Sequence, residues 1–224
     1  MQLSSNTVSI LQGFSSINPS IVIKKGSLLS TMSNSRLILA NAKIEEDFPM
    51  DIGIYELGQF LNNLSLFNKP ELEFSEGYIS ISDDSCSAKY HTADPEIIAH
   101  PPKSELTLPS VNIEFTLTES NRSTILKAVG KTNLPMLKFS NKNGSVVASL
   151  VDIKNPLSNT FDIVLDASTT DQFEIFITFE NIKVVPGNYN IKFHISSNMS
   201  LSEWTNDNGI NKYWIALAPQ STFG

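Results

Sequence analysis

The triplet Gly130-Lys131-Thr132 closes the stretch ILKAVGKTN at residues 125–133 and carries the residue types that grip a nucleotide phosphate. A P-loop needs G-x-x-x-x-G-K-[ST] between a strand and a helix, so that consecutive backbone N–H groups wrap the phosphates. Here Ile125 stands where the first glycine belongs, and Leu126, Lys127, Ala128 and Val129 fill the spacer, so the cradle is missing. The same residues fit a helix instead. Ile125, Leu126 and Val129 fall on one apolar face, and Gly130 is expected where that helix ends. Ser120, Thr124, Lys127 and Lys131 then recur at steps of four, three and four and share the opposite face. Such a face can meet a polyanion, or it can simply be solvated with its lysines favourably near the C-terminus. Arg122 projects nearer the apolar side.

The remaining reactive residue types do not assemble into a centre. Glu45-Glu46-Asp47 and Asp83-Asp84 are expected in solvated turns between strands. His91, His100 and His194 have no carboxylate or cysteine at metal-ligand spacing, so neither a metal site, a cofactor nor a catalytic dyad is expected. Cys86 is the only cysteine and is read as a strand residue; with no intrachain disulfide possible, an intracellular protein is the simpler expectation. MQLSSNTVSILQGF lacks a basic segment and a long apolar run, and no stretch approaches the roughly 18 apolar residues of a membrane span. The expected chain is soluble, cytoplasmic and wholly folded. With 16 Lys plus Arg against 23 Asp plus Glu, the net charge of −7 argues against an openly basic nucleic-acid surface but leaves room for a local patch.

The elements that must position these residues repeat. Leu3, Thr7, Ile10, Leu11 and Phe14 mark a short amphipathic helix, with Ser5, Ser9 and Gln12 opposite. Strand-like runs IVIKK, SLLSTM, RLILANA and FPMDIGI follow, broken by Gly26, Asn34 and an acidic turn. A second helix directs Leu57, Phe60, Leu61 and Leu64 inward and Gln59, Asn62 and Asn63 outward, before strands ELEFS, YISIS and SAKYH. Residues 91–110 contain Pro95, Pro101, Pro102 and Pro109 and read as an extended connector. Beyond it come VNIEFTL, the lysine-bearing helix, PMLKFSN and SVVASLV joined by Asn143-Gly144, then FDIVLD and FEIFITF. A short helical piece ENIKVV, the strand NYNIKFHIS, an irregular segment around Trp204 and Asp207, and the strand KYWIALA complete the chain. The order of the first half returns about 115 residues later. The fold class is therefore α+β, two tandem units (1–93 and 111–224, connector 94–110) with antiparallel sheets.

Several stretches, in order and spacing, resemble one family: LSSNT with ILQGFSSIN, DIGIYELGQFLNNLSL, ADPEIIAHPPK followed by LP, NIKVVPGNY, and YWIALAPQSTF. The chain resembles the DNA polymerase sliding clamps of T-even-type bacteriophages. The resemblance implies a homotrimeric ring with the DNA-clamp fold, helices lining a central hole and sheets outside. It implies partners as well: duplex DNA held without regard to sequence, the phage DNA polymerase, a clamp-loader ATPase and late transcription factors, in the cytoplasm of an infected host. No catalysis is implied. Lys127 and Lys131 become phosphate contacts, with Thr124 beside them, Lys183 on a fourth pore-side helix and Arg122 as a further DNA or subunit contact. The first two helices offer only Ser5, Ser9, Gln12, Gln59, Asn62 and Asn63, a neutral polar wall. Tyr90 and, on the other side, Phe161, Ile163 and Leu165 correspond to subunit-interface strands. Ile97, Ile98, Leu106 and Leu108 with Leu217, Ala218 and Pro219 either border a groove for a partner's apolar peptide or pin connector and tail to the core. A β-rich tail or baseplate protein shares the strands and the Asn/Ser-rich turns but needs neither a tandem repeat nor a basic helix stripe.

Overall fold

A computed structural model describes residues 1–102, 106–155 and 157–224, so residues 103–105 of the expected connector lie outside the described residues. The chain divides into two compact units, Met1–Leu106 and Thr107–Gly224.

In the first unit, helix α1 (Ser5–Ile17) starts where the Ser4 side chain accepts a hydrogen bond from the Thr7 amide, and it buries Thr7, Ile10, Leu11, Phe14 and Ile17. Strands β1 (Ile21–Ile23), β2 (Gly26–Met32), β3 (Ile38–Phe48) and β4 (Ile52–Ile54) follow. β1 pairs antiparallel with β4 and β2 with β3, and α1 packs on β2 and β3. Helix α2 (Leu57–Leu64) lays Leu57, Phe60, Leu61 and Leu64 into the core beside α1. β5 (Glu71–Ser75), β6 (Tyr78–Ser82) and β7 (Ser87–His91) then form an antiparallel sheet in that order. A 3₁₀ turn, Pro95–Ile97, opens the connector.

The second unit begins with β8 (Ile113–Leu117) and α3 (Glu119–Thr132). β9 (Met136–Lys142), β10 (Ser145–Val151), β11 (Phe161–Ser168) and β12 (Phe173–Thr178) come next, then β13 (Tyr189–Ile195), β14 (Ser200–Asn206), β15 (Asn211–Ala216) and β16 (Thr222–Phe223). Antiparallel pairing gives one sheet in the order β11-β10-β9-β12-β16 and a run β15-β14-β13-β8. Asn143 and Gly144, at φ 54° and 87°, make the β9–β10 turn in the left-handed conformation that tight hairpins require. Phe115, Phe139 and Phe193 meet at centroid distances of 5.1 to 5.7 Å, with Trp204, Tyr189 and Tyr213 continuing the aromatic core.

Five expectations are corrected. The acidic turn at Glu45-Glu46-Asp47 is strand: β3 runs on to Phe48 because Ala42, Ile44 and Phe48 stay buried while Lys43, Glu45 and Asp47 face out. The segment around Trp204 is β14, where burial includes a serine, Ser202, whose hydroxyl accepts from Trp204 Nε1 at 2.8 Å. The piece ENIKVV forms no α-helix; only a 3₁₀ turn at Phe179–Asn181 precedes Pro186, and β-branched Ile182, Val184 and Val185 disfavour extending it. Gly130 does not end α3, since the left-handed cap falls on Asn133 at φ 54°. Cys86 sits exposed in the turn before β7 rather than in the strand. With those changes, α1, four strands, α2 and three strands in the first unit match α3, four strands, a 3₁₀ turn and the strands β13–β15 in the second, which adds β8 before α3 and the short β16 at its end.

Candidate nucleic-acid interface

Helix α3 carries an exposed lysine stripe, and its amphipathic period is anchored at both ends. Thr118 caps the first turn by accepting from the Asn121 amide, and Asn133 closes the last by donating its amide to the Val129 carbonyl. At the start, Glu119 Oε2 accepts from Arg122 Nε at 2.7 Å and from the Gly187 amide at 2.7 Å, and Oε1 accepts from Arg122 Nη2 at 3.2 Å. Asn188 Oδ1 accepts from the Glu119 amide at 2.7 Å, and its Nδ2 donates to Asp207 at 2.6 Å. The β12–β13 loop thus grips the helix N-terminus. The Arg122 hydrogen bond is the main reason the Glu119 carboxyl is held below its ordinary value.

Ser120, Thr124, Lys127 and Lys131 are all exposed on this helix. Thr124 donates its hydroxyl to the Ser120 carbonyl at 2.9 Å, leaving the two ammonium groups as the charged donors of the stripe. Neither lysine forms an ion pair among the described residues. Arg122, expected on the DNA-facing side, is 9% exposed and is consumed by Glu119 within the unit. Its position three residues before Ile125 puts it on the buried stripe. Lys183 lies past the 3₁₀ turn, half-buried in the loop, and so is not on a helix.

On α1, Ser5, Ser9 and Gln12 are exposed; on α2, Gln59 and Asn62 are exposed and Asn63 is half-buried, donating to the Gln59 carbonyl at 3.1 Å. Neither helix contains a charged residue. What fixes α1 was not visible from its own sequence. Glu46, half-buried between Ile44 and Phe48 on the inward face of β3, accepts from the Ser4 amide and from the Thr7 hydroxyl. Burial pushes the Glu46 carboxyl up, but the hydrogen bonds outweigh it and hold the group below its ordinary value. Asp83 accepts from the amides of Asn68, Ser85 and Cys86, which hold its carboxyl down to about 2. Glu46 and Asp83 therefore brace backbone in place of merely facing solvent.

The interface and groove candidates divide. Tyr90 turns onto α2, its ring 5.2 Å from Phe60 and its hydroxyl donating to the Glu56 carbonyl at 3.3 Å. Phe161 and Ile163 are half-buried, while Leu165, expected at a subunit contact, is buried at 3% because it alternates onto the core face of β11. Val164, on the other face, is 67% exposed and escaped the sequence reading. Ile98 and Leu217, read as either bordering a groove or pinning connector and tail, are buried inside their own units, as pinning requires. Leu217 and Ala218 donate their amides to Ser200 and Phe176 carbonyls at 3.1 and 2.8 Å, which pins the tail. Ile97 is 66% exposed, Pro219 is exposed, and Leu106, Leu108 and Ala218 are half-buried. Among the described residues, no His, Cys, Asp or Glu group is arranged to hold a metal, and no helix is long and apolar enough to cross a membrane.

Residues 4–100 match the family of DNA polymerase processivity factors. The sliding clamp of Vibrio phage KVP40 is 28% identical over 201 residues, covering 87% of this chain and 90% of that protein. The sliding clamp of Enterobacteria phage T4 is 25% identical over 233 residues, 99% of both chains. In structure, A. fulgidus PCNA bound to the C-terminal region of FEN-1 matches with a TM-score of 0.67 at 13% identity, over 99% of this chain and 98% of that one. The fold is that of the sliding clamps.

Proposed function

We propose that this chain is a sliding-clamp processivity factor like those of the phages it resembles, and that three copies close into a ring around duplex DNA and tether the phage polymerase. Each compact unit serves as one clamp domain, with residues 94–110 as connector, the helices toward the hole and the sheets outward. The observation that carries the reading is the clamp fold over 99% of the chain, joined to an exposed Lys127-Lys131 pair on α3 that forms no ion pair among the described residues. Those lysines meet phosphates without reading bases, and Thr124 lies beside them. The uncharged faces of α1 and α2 supply a polar wall along which DNA slides. An ATP-driven loader, a late-transcription role and peptide-bearing partners belong to the same reading by kinship with the phage clamps, as does action in the host cytoplasm. The clamp itself catalyses nothing. A tail or baseplate role has no use for the tandem repeat.

Light scattering at micromolar concentration is expected to give about three times the 24.7 kDa chain mass. A strict monomer at every concentration would sink the ring. Lys127→Ala with Lys131→Ala is expected to shorten retention on circular DNA while leaving the trimer intact; unchanged retention would remove both lysines from the DNA contacts.

A further inference from the structure

β7 and β11 are the outermost strands of their sheets. Each leaves a row of backbone N–H and C=O groups without a strand partner, the feature that invites pairing with another chain. Their side chains are sorted alike. On β7, Tyr90 packs on Phe60 of α2, while Lys89 and His91 are exposed on the opposite face. On β11, Leu165 is buried, while Asp162, Val164 and Asp166 are exposed on the opposite face. One edge presents a cation and an imidazole, the other two carboxylates, each on the face turned away from its core.

We propose that Lys89 and His91 on one copy, set against Asp162 and Asp166 on the next, form a charge code that favours β7 pairing with β11 over either edge pairing with its own kind. The inference rests on the ring reading and adds the contacts that choose head-to-tail order. Pairing β7 with β7 sets lysine against lysine, and pairing β11 with β11 sets carboxylate against carboxylate; like charges opposite each other destabilise a sheet, so only the mixed pairing gains. That pairing is heterologous and closes into a ring when the rotation permits. Register does not undo it. Because side chains alternate, any register that keeps Tyr90 on the face of Leu165 also keeps Lys89 on the face of Asp162 and Asp166, directly opposite or on the diagonal.

The groups differ in readiness. Asp162 is already held by Lys142 at 2.6 Å, whereas Asp166 forms no ion pair among the described residues and is the free carboxylate. Lys89 rests with its Nζ 3.7 Å from the Tyr78 ring centroid, exposed and without a carboxylate partner among the described residues. Val164, 67% exposed between the two carboxylates, supplies apolar surface that leaves water when the edges meet.

The test is a charge swap followed by sedimentation velocity across a concentration series. Lys89→Glu alone and Asp166→Lys alone are each expected to raise the trimer dissociation midpoint by about three- to tenfold at low salt, with the effect shrinking at 0.5 M salt. Lys89→Glu with Asp166→Lys in one chain restores the wild-type midpoint and co-assembles with itself in preference to wild type, read by native mass spectrometry of isotope-labelled mixtures. Thermal melts of the monomeric species check folding. Single variants that melt and assemble like wild type overturn the charge code, as does a double variant that melts like wild type yet stays as weak as the singles. Either result leaves the ring reading standing, whereas a wild type that never trimerises removes that reading itself.

Discussion

Replacing Glu119 by Gln keeps the shape of the side chain and removes its charge, and so isolates what holds α3 to the β12–β13 loop. The Arg122 side chain is 11% exposed and that of Glu119 is 42% exposed. The pair therefore lies between a buried one, whose disruption costs about 3–5 kcal/mol, and an exposed one worth about 0–1 kcal/mol. Glutamine retains an acceptor for the Gly187 amide but leaves the guanidinium without its anion, and we expect a loss of about 2 kcal/mol. For a chain of this length that is roughly 4–8 °C in Tm. The loss carries a pH signature. The Glu119 carboxyl is held below its ordinary 4.5 mainly by the Arg122 hydrogen bond, against a smaller upward push from burial, with the Gly187 amide adding to the lowering. Its contribution is full above pH 4.5 and disappears as pH falls through the lower folded value, so wild type and variant should differ most near neutrality and converge in acid. Urea unfolding followed by tryptophan fluorescence reports on the right unit, since Trp204 and Trp214 both lie in it. Glu119→Gln with Arg122→Met should recover part of the loss, because the stranded charge goes too. A loss under about 0.5 kcal/mol at pH 7, the level of an ordinary surface change, or a difference that does not vary with pH, would refute the argument.

Two further substitutions probe the first unit. A Cβ on Gly53 would collide with the Ala93 carbonyl oxygen and stand 3.1 Å from the Pro95 nitrogen, both backbone, where the Ala93 amide donates to the Gly53 carbonyl. Gly53→Ala should therefore lower stability by about 1–3 kcal/mol through forced overpacking, and a melting curve matching wild type would show that the connector's first turn yields freely. Glu46→Ala strips the acceptor from the Ser4 amide and the Thr7 hydroxyl, and should cost about 1 kcal/mol and speed hydrogen exchange in the first turn of α1. Exchange unchanged there would mean that the Ser4 side-chain cap alone holds the helix.

How much of this was legible in the sequence depended on whether the signal was local. β5, β6 and β7 follow the runs ELEFS, YISIS and SAKYH residue for residue, because period-two alternation faces one core. The exposed stripe of α3 was legible for the same reason at period 3.6. β14 was not, since its buried set includes Ser202, and a buried hydroxyl is admissible only through the Trp204 indole that fills its hydrogen bond. Arg122 was read nearer the apolar side, where it lies, but its role as partner of Glu119 was not legible, because Glu119 is fixed by Gly187 and Asn188, more than sixty residues away. Glu46 was read as a loop acid because its donors, Ser4 and Thr7, are about forty residues earlier. In each miss a polar residue was satisfied by a specific hydrogen bond that hydrophobic periodicity does not register, from two residues away for Ser202 to about forty for Glu46.

The two units share a plan but not a charge. α1 and α2 are free of ionisable residues, whereas α3 exposes Lys127 and Lys131 and buries its remaining cation against Glu119. A ring of three such chains would then present lysine pairs on every second domain, separated by neutral amides and hydroxyls. Beyond about 8–10 Å the lysines are screened at ordinary salt, so a duplex smaller than the hole feels only the wall it approaches. Few phosphates are neutralised at once, and the salt dependence of binding, close to 0.9 per phosphate contacted, stays shallow. On the proposed ring, retention would come from closure rather than from affinity for DNA, and the strength of the proposed β7–β11 contact would govern how long a clamp stays on its template.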